Sequence, residues 1–324
     1  MPLSSIAETG DRFASFGPYV PSVNGAGLVA FQFVAVDGRT GVCTVEGPRV
    51  TEHPLGDPVA AVTSHPDVTG SGALSFYGEA PSGEDRVFLV RDGVVRAVGE
   101  RFHAIGPAGP TMNEACEVAF RAEREPGIAG IHVAAATGVR TVAETGERFA
   151  EFHGLPLIDA RGAVAFRADT TDGVQGIYLA AQGAIRPIVE SGDAFSTIAP
   201  FPSRGLDGST AFAATTAHGG HGIFTVRGGV VSRADDGEGF ASHWGALLAG
   251  DVLVRIATPH GGGLGLFRGP DPARDRIVAV GDPCMGSTVE NLAANPVSVN
   301  GGGQLVIRLG LADGRGAIVR ADLD

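Results

Sequence analysis

Nine histidines and a single tryptophan carry most of the chemistry that this sequence can offer. His243 and Trp244 are adjacent, His153 follows Glu151 by two residues, and His65 and His103 stand in comparable segments rich in small residues and proline. His218 and His221 fall in TTAHGGHGIF, and His260 falls in TPHGGGLGLF. An imidazole titrates near 6.5, so His243, His153 and His103 are candidate general acids or bases, with Glu151 to orient one of them. Trp244 and Tyr19 offer aromatic faces to a sugar or another ring, and His65, Arg204, His218 and His260 offer polar contacts to a ligand. Histidines from separate segments also suit zinc or another transition metal. HGGH lacks the spacing of a helical ligand pair, so the cofactor, a divalent metal included, stays open. Other chemistries are excluded. No Gly-x-Ser-x-Gly elbow occurs, no cysteine adjoins a histidine, and all 24 basic residues are arginine, which rules out a lysine Schiff base and a P-loop.

The chain that must position these groups has 324 residues, 44% of them hydrophobic, with 50 Gly and 20 Pro spread along its length. That apolar content excludes disorder, and Gly and Pro, at about 1 and about 3 kcal/mol per helix-interior position, argue against helices. No break in composition divides residues 1–324, which read as one all-β domain. The net charge of −12 disfavours nucleic acid and anionic membrane as partners. A monomer that takes a small-molecule ligand or substrate is expected instead. Cys43, Cys116 and Cys284 are widely spaced and odd in number, so they give neither a disulfide framework nor a metal-binding spacing. The opening MPLSSIAETGDRF has no basic and then apolar leader, and no run approaches the roughly 18 apolar residues of a membrane span. A cytoplasmic location follows as the expectation.

Self-similarity organises the whole chain. An Ala-Phe anchor recurs at Phe31, Phe76, Phe120, Phe166 and Phe212, with degenerate copies at Val254 and Ile307. A second marker keeps phase with it, from Gly41-Val42-Cys43 through Gly176-Ile177-Tyr178 to Gly316-Ala317-Ile318, and a Gly-Asp/Glu turn follows each outer strand. The period of about 46 residues, with several short strands per unit, is that of a four-stranded propeller blade. Seven units therefore predict a seven-bladed β-propeller. The last repeat stops after GAIVRAD, while the first begins with an orphan SSIAETGD that matches TVAETGE at 141–147. Residues 1–10 should thus supply the outer strand of blade 7 and close the ring.

The turn in VNGAGLVAF, with Asn24, Gly27, Ala30 and Phe31, resembles that of the NxxGxxAF tandem-repeat proteins of bacteria, and weaker copies extend the likeness over nearly the whole chain. The layout is also similar to the blades of Tol-system and WD-repeat propellers. The resemblance implies the propeller fold, with the strand before each NxxG innermost, and it implies no activity. Recurring phenylalanines then belong between blades. Arg121, Arg167, Arg255 and Arg308 follow their anchors at one offset and should bond neighbouring blades.

Residues that depart from the repeat are the ones the fold does not require. Aligned on Gly-Asp/Glu-x-Phe, the connections into the innermost strands are apolar at the third residue after the Phe in most copies, but the sixth has His243. Together with the hairpin residues His218, His221 and His260, the unmatched His65, His103, Glu151, His153, Tyr19, Trp244 and Arg204 should gather where loops converge on the channel mouth. The long segment from Asp282 to Asn300 reads either as an insertion tolerated at the closing blade or as a lid over the mouth that brings Glu290 and Asn291. These features point to a His-dependent lyase, isomerase or hydrolase, with or without a metal. A ligand- or glycan-binding propeller without turnover, or a protein-interaction scaffold, is the alternative.

Overall fold

The computed structural model describes residues 2–205, 207–235 and 237–323. Their antiparallel strands form seven sheets, and the helical element among the described residues is one 3-10 turn, Pro296–Ser298. No helix among them is long and apolar enough to cross a membrane. Blade 4 gives the plan. Phe149–Ile158 is innermost, followed outward by Val164–Thr170, Gln175–Ala181 and Ala184–Glu190. The second strand, Arg167 included, is buried along nearly its whole length because each sheet packs between two others.

The protein is a seven-bladed β-propeller closed by its N-terminal strand. Ser4–Glu8 pairs antiparallel with Gly316–Asp322, placing Ser4 opposite Arg320 and Glu8 opposite Ala317, as the offset of the repeats predicts. Between blades the recurring aromatics form the core. Phe149, Phe152, Phe166 and Tyr178 of blade 4 meet at ring distances of 5.0–5.9 Å and pack on Ile131 and Val133 of blade 3. Arg121 donates to the Phe152 carbonyl and Arg167 Nε to the Ile198 carbonyl at 3.1 Å, so these two arginines do bridge neighbouring blades. Arg308 instead bonds Asn291 within blade 7.

The turns between first and second strands carry a further link. Asn24 Oδ1 accepts from the Ala26 and Leu28 amides, and Asn24 Nδ2 donates to the Thr69 carbonyl of the next blade. Asn300 does the same to Asn24 across the closure, and Asn113 does so to Asp159. Gly27, at φ +87°, completes the first of these turns, where a side chain would be strained.

Three expectations need correction. The segments aligned as connections are themselves the innermost strands, continuous in Phe149–Ile158 and Phe240–Ala249 and split in blade 1 into Phe13–Phe16 and Ser22–Val23. Their irregular composition hid them, because bulges break the alternation that marks a strand. The 282–300 segment is likewise no lid: it forms the inner strand Ser287–Ala293 and then the 3-10 turn, whose Ser298 Oγ donates to the Pro21 carbonyl of blade 1. Finally, the sixth anchor is Arg255, not Val254. Arg255 lies opposite Phe267 as Phe166 lies opposite Tyr178, and Ala257 lies opposite His243 as Ala168 lies opposite Phe152. In blade 7 Ile307 faces Val319, so the second marker there is displaced by one residue as well.

Candidate functional site

Two cavities open beside the innermost strands. The central channel, of about 520 Å³, is lined mostly by apolar groups from all seven blades, among them Tyr19, Pro107, Leu155, Phe201, Trp244 and Ala294. Next to it, where blades 4, 5 and 6 meet, lies a polar pocket of about 350 Å³ that includes His153, Arg167, Asp169, His221 and His243. Asp169 and His221 adjoin the hairpins between second and third strands, so this pocket opens on the face opposite the Asn turns. The dividing wall is a set of adjacent residue pairs. His153, Pro200 and His243 line the polar pocket, whereas the residues that follow them, Gly154, Phe201 and Trp244, line the channel. Gly154 has φ +61°, and a Cβ there would lie 2.2 Å from the Pro200 carbonyl oxygen, so only glycine fits at this contact.

Behind the pocket, blade 6 departs from the apolar core that the other blades keep at these positions. The position of Phe152 is occupied in blade 6 by His243, and that of Phe166 by Arg255, while Phe240 and Phe267 keep the remaining aromatic places. Both polar side chains are buried around Asp235, which is itself buried. Arg255 Nε donates to Asp235 Oδ2, and His243 Nε2 faces Asp235 Oδ1 at 3.4 Å. Burial alone would raise the Asp235 carboxyl, but the hydrogen bonds from His243 and Arg255 outweigh it and bring the pKa down to about 2. On the other side of the ring, His243 Nδ1 lies 2.9 Å from His221 Nδ1. One of these nitrogens must donate and the other accept. With His243 neutral and its proton on Nε2 toward Asp235, His221 donates from Nδ1 and keeps a basic Nε2. With His243 charged, His221 carries its proton on Nε2. Asp235, His243 and His221 thus form a line that ends at the pocket. Burial, and then the neighbouring His243, hold the His221 pKa below its usual value.

The second polar group lies in blade 4. His153 Nε2 is 3.2 Å from Asp169 Oδ2, and Arg167 donates to the other oxygen of that carboxylate. Glu151, expected to orient His153, is two-thirds exposed and 3.9 Å from Nδ1, so Asp169 is the closer partner. The ligand atoms of Glu151, His153 and Asp169 lie within 4.8 Å of one another, a donor set of one imidazole and two carboxylates that suits a divalent cation.

The remaining sequence candidates are dispersed. Trp244 is 58% exposed at the channel, its Nε1 donating to Thr258 Oγ1, and Tyr19 lines the same channel. His65 also lines it but is buried: Nε2 bonds the Pro110 carbonyl, and burial pushes its pKa down to about 4, so it is neutral. His103, His218 and His260 are exposed at the surface and line neither cavity. Arg204 is the clear correction, since it ends an inner strand beside the Gly205–Gly208 turn, on the face opposite the mouth. Sequence reasoning passed over Asp169 and Asp235, and read Arg167 and Arg255 only as structural. Their signal lies in cross-strand partners, which one sequence does not display.

No family model matches this sequence, and no curated protein does. Solved structures do resemble it. A Mycobacterium tuberculosis puromycin-hydrolyzing peptidase aligns over the whole of this chain and 55% of its own, at 18% identity and TM-score 0.60. The present chain therefore spans about half the length of that protein. An oligogalacturonate lyase in complex with manganese aligns over 100% of this chain and 97% of its own, at 12% identity and TM-score 0.64. The β-propeller domain of the Trilobed protease from Pyrococcus furiosus, described as having an open velcro topology, aligns over 94% and 95%, at 11% identity and TM-score 0.62. At these identities the likeness is one of fold.

Proposed function

We propose that the protein takes a small molecule at the junction of the channel and the polar pocket, and that His221 and His153 move protons on it in a lyase, isomerase or hydrolase reaction. The observation that carries this reading is the replacement of two apolar core residues by His243 and Arg255 around the buried Asp235. Buried ionic groups are costly, and an apolar set of similar volume is often as stable or more so, so the fold alone does not call for them. In this scheme His221 touches the substrate, while His243 and Asp235 set its tautomer and Arg167 and Asp169 hold His153. Trp244 and Phe201 supply an apolar wall for the rest of the ligand. In the metal-assisted form of the reaction a divalent cation on Glu151, His153 and Asp169 would serve as a Lewis acid, and the proton transfer would fall to His221 alone.

Oligogalacturonate and aminoacyl-naphthylamide substrates test the lyase and hydrolase classes, with products followed by NMR. Turnover is expected to fall about 10²- to 10⁴-fold in His221→Ala and His153→Ala. Because the His221 pKa is lowered, its base form persists below pH 6.5, and the acid limb of the profile should fall below that value. Turnover that survives both substitutions would overturn the proposal. The second reading, binding without turnover, draws on the apolar channel and the exposed Trp244. It is favoured where these compounds change the emission of the single tryptophan and are recovered intact.

A further inference from the structure

On the face that bears the Asn turns, remote from the histidine pocket, blades 4 and 5 leave a cleft of about 810 Å³. Arg161, Arg186, Arg204 and Arg227 line it against two carboxylates, Asp159 and Asp207. Four cations less two anions make this cleft +2, in a chain whose net charge is −12. The carboxylates are occupied by their own turns: Asp159 Oδ1 accepts from the Arg161 and Ala163 amides at 2.9 and 3.0 Å, and Asp207 Oδ1 accepts from the Ser209 amide at 2.9 Å. The ion pairs left to the arginines are long. Arg204 lies 3.9 Å from Asp159, and Arg227 lies 4.0 Å from Asp207 and 3.5 Å from Asp251. Arg204 Nη1 donates to the Gly208 carbonyl at 3.1 Å, while its Nε is buried without a hydrogen-bond partner, as are those of Arg86, Arg308 and Arg320.

The repeat shows that the charge is not needed for folding, since the matching cleft between blades 2 and 3, with Leu89 and Arg96 where blade 4 has Leu179 and Arg186, has no arginine on the facing turn. The residue before the turn is apolar in the other six blades, at Val23, Val68, Met112, Ile158, Ala249 and Val299, and only blade 5 places an arginine there. The Asn link to the next blade is made by Asn24, Asn113 and Asn300, whereas Thr69, Asp159, Gly205 and Gly250 hold that position in the other blades, so blades 4 and 5 both carry no such latch beside the cleft.

We propose that this cleft binds a compact polyanion, a small molecule carrying two or more phosphate or carboxylate groups, held by the guanidinium forks of Arg204, Arg186 and Arg227. Arginine suits this role because its planar donors pair two at a time with such oxygens. The site is separate from the one proposed for catalysis and does not depend on it.

Calorimetric titration of the full chain in low-salt buffer with inorganic pyrophosphate, and separately with citrate, tests the proposal. Saturable binding at one site is expected, weakening as salt is added. A preference for pyrophosphate identifies a phosphate ligand, and a preference for citrate a carboxylate one. Arg204→Val restores the residue type of blades 1 and 2, and Arg186→Ala alters an exposed side chain. Each should weaken binding about tenfold or more, whereas Arg49→Ala, on the outer strand of blade 1, should not. The proposal is overturned if neither anion binds below about 10 mM, or if both cleft variants bind as the wild type does.

Discussion

At His243 and Arg255 an apolar core has been exchanged for an ionic one, and the exchange separates what the fold requires from what it carries. Substituting Arg255→Phe alone restores the repeat residue but leaves Asp235 buried beside a single imidazole. A loss of about 3–5 kcal/mol is expected by urea unfolding. The triple substitution Asp235→Ala, His243→Phe and Arg255→Phe removes every member of the buried set, and its stability should return to within about 1 kcal/mol of the wild type while turnover stays lost. A triple variant no more stable than Arg255→Phe would mean that the ionic set is structural. His243 was legible in the sequence because the third residue after each Phe is otherwise mostly apolar. Arg255 was not, because VLVRIA contains no Ala-Phe pair to fix the register, and matching by residue type selects Val254. Only the pairing of Arg255 with Phe267 assigns the place.

The innermost strands decide which side chains face which cavity, and they do so through irregularity. A regular strand would alternate its faces without interruption, but the ladder of Phe149–Ile158 shifts between His153 and Leu157, and that of Phe240–Ala249 shifts between His243 and Gly245. Each shift turns one residue to the polar pocket and the next to the channel. These strands were read as connections since bulges, Gly and Pro erase the period-two pattern. The ladders between second and third strands run without a shift except at the end of blade 3, between Glu123 and Glu125, and they repeat legibly. Gly154 sits at the bulge, and Gly154→Ala would drive a methyl against the Pro200 carbonyl at a positive φ. A destabilisation of about 2–4 kcal/mol is expected, together with a changed Trp244 emission, as the wall between the two cavities shifts. Unfolding and fluorescence measured on the same variant check both, and an unchanged emission would mean that the two cavities are not coupled through this contact.

Over the whole molecule, the sevenfold period made the architecture readable from residue types alone, because one weak pattern seen seven times constrains more than any single copy. The closure was readable for the same reason: the marker before the first anchor had no partner except at the other end of the chain. Closure places a heavy demand on a short segment. Ser4–Glu8 covers the free edge of Gly316–Asp322, Ile6 and Ala7 pack against the core of blade 1, and Thr9 exchanges hydrogen bonds with Gly316 at 3.0 and 2.9 Å. Removing residues 2–9 should therefore strip blade 7 of its outer strand and uncover part of an apolar interface. The expected result is a fall in Tm of about 5 °C or more, with concentration-dependent association as the bared edge pairs with another copy. Scanning calorimetry and sedimentation at two protein concentrations measure the two effects. A synthetic peptide of residues 2–10 added in excess should reverse both by refilling the edge. A truncated chain that melts like the wild type and stays monodisperse would show that the packing of blade 7 on blade 1, with the Ser298–Pro21 and Asn300–Asn24 bonds, holds the ring together without this strand.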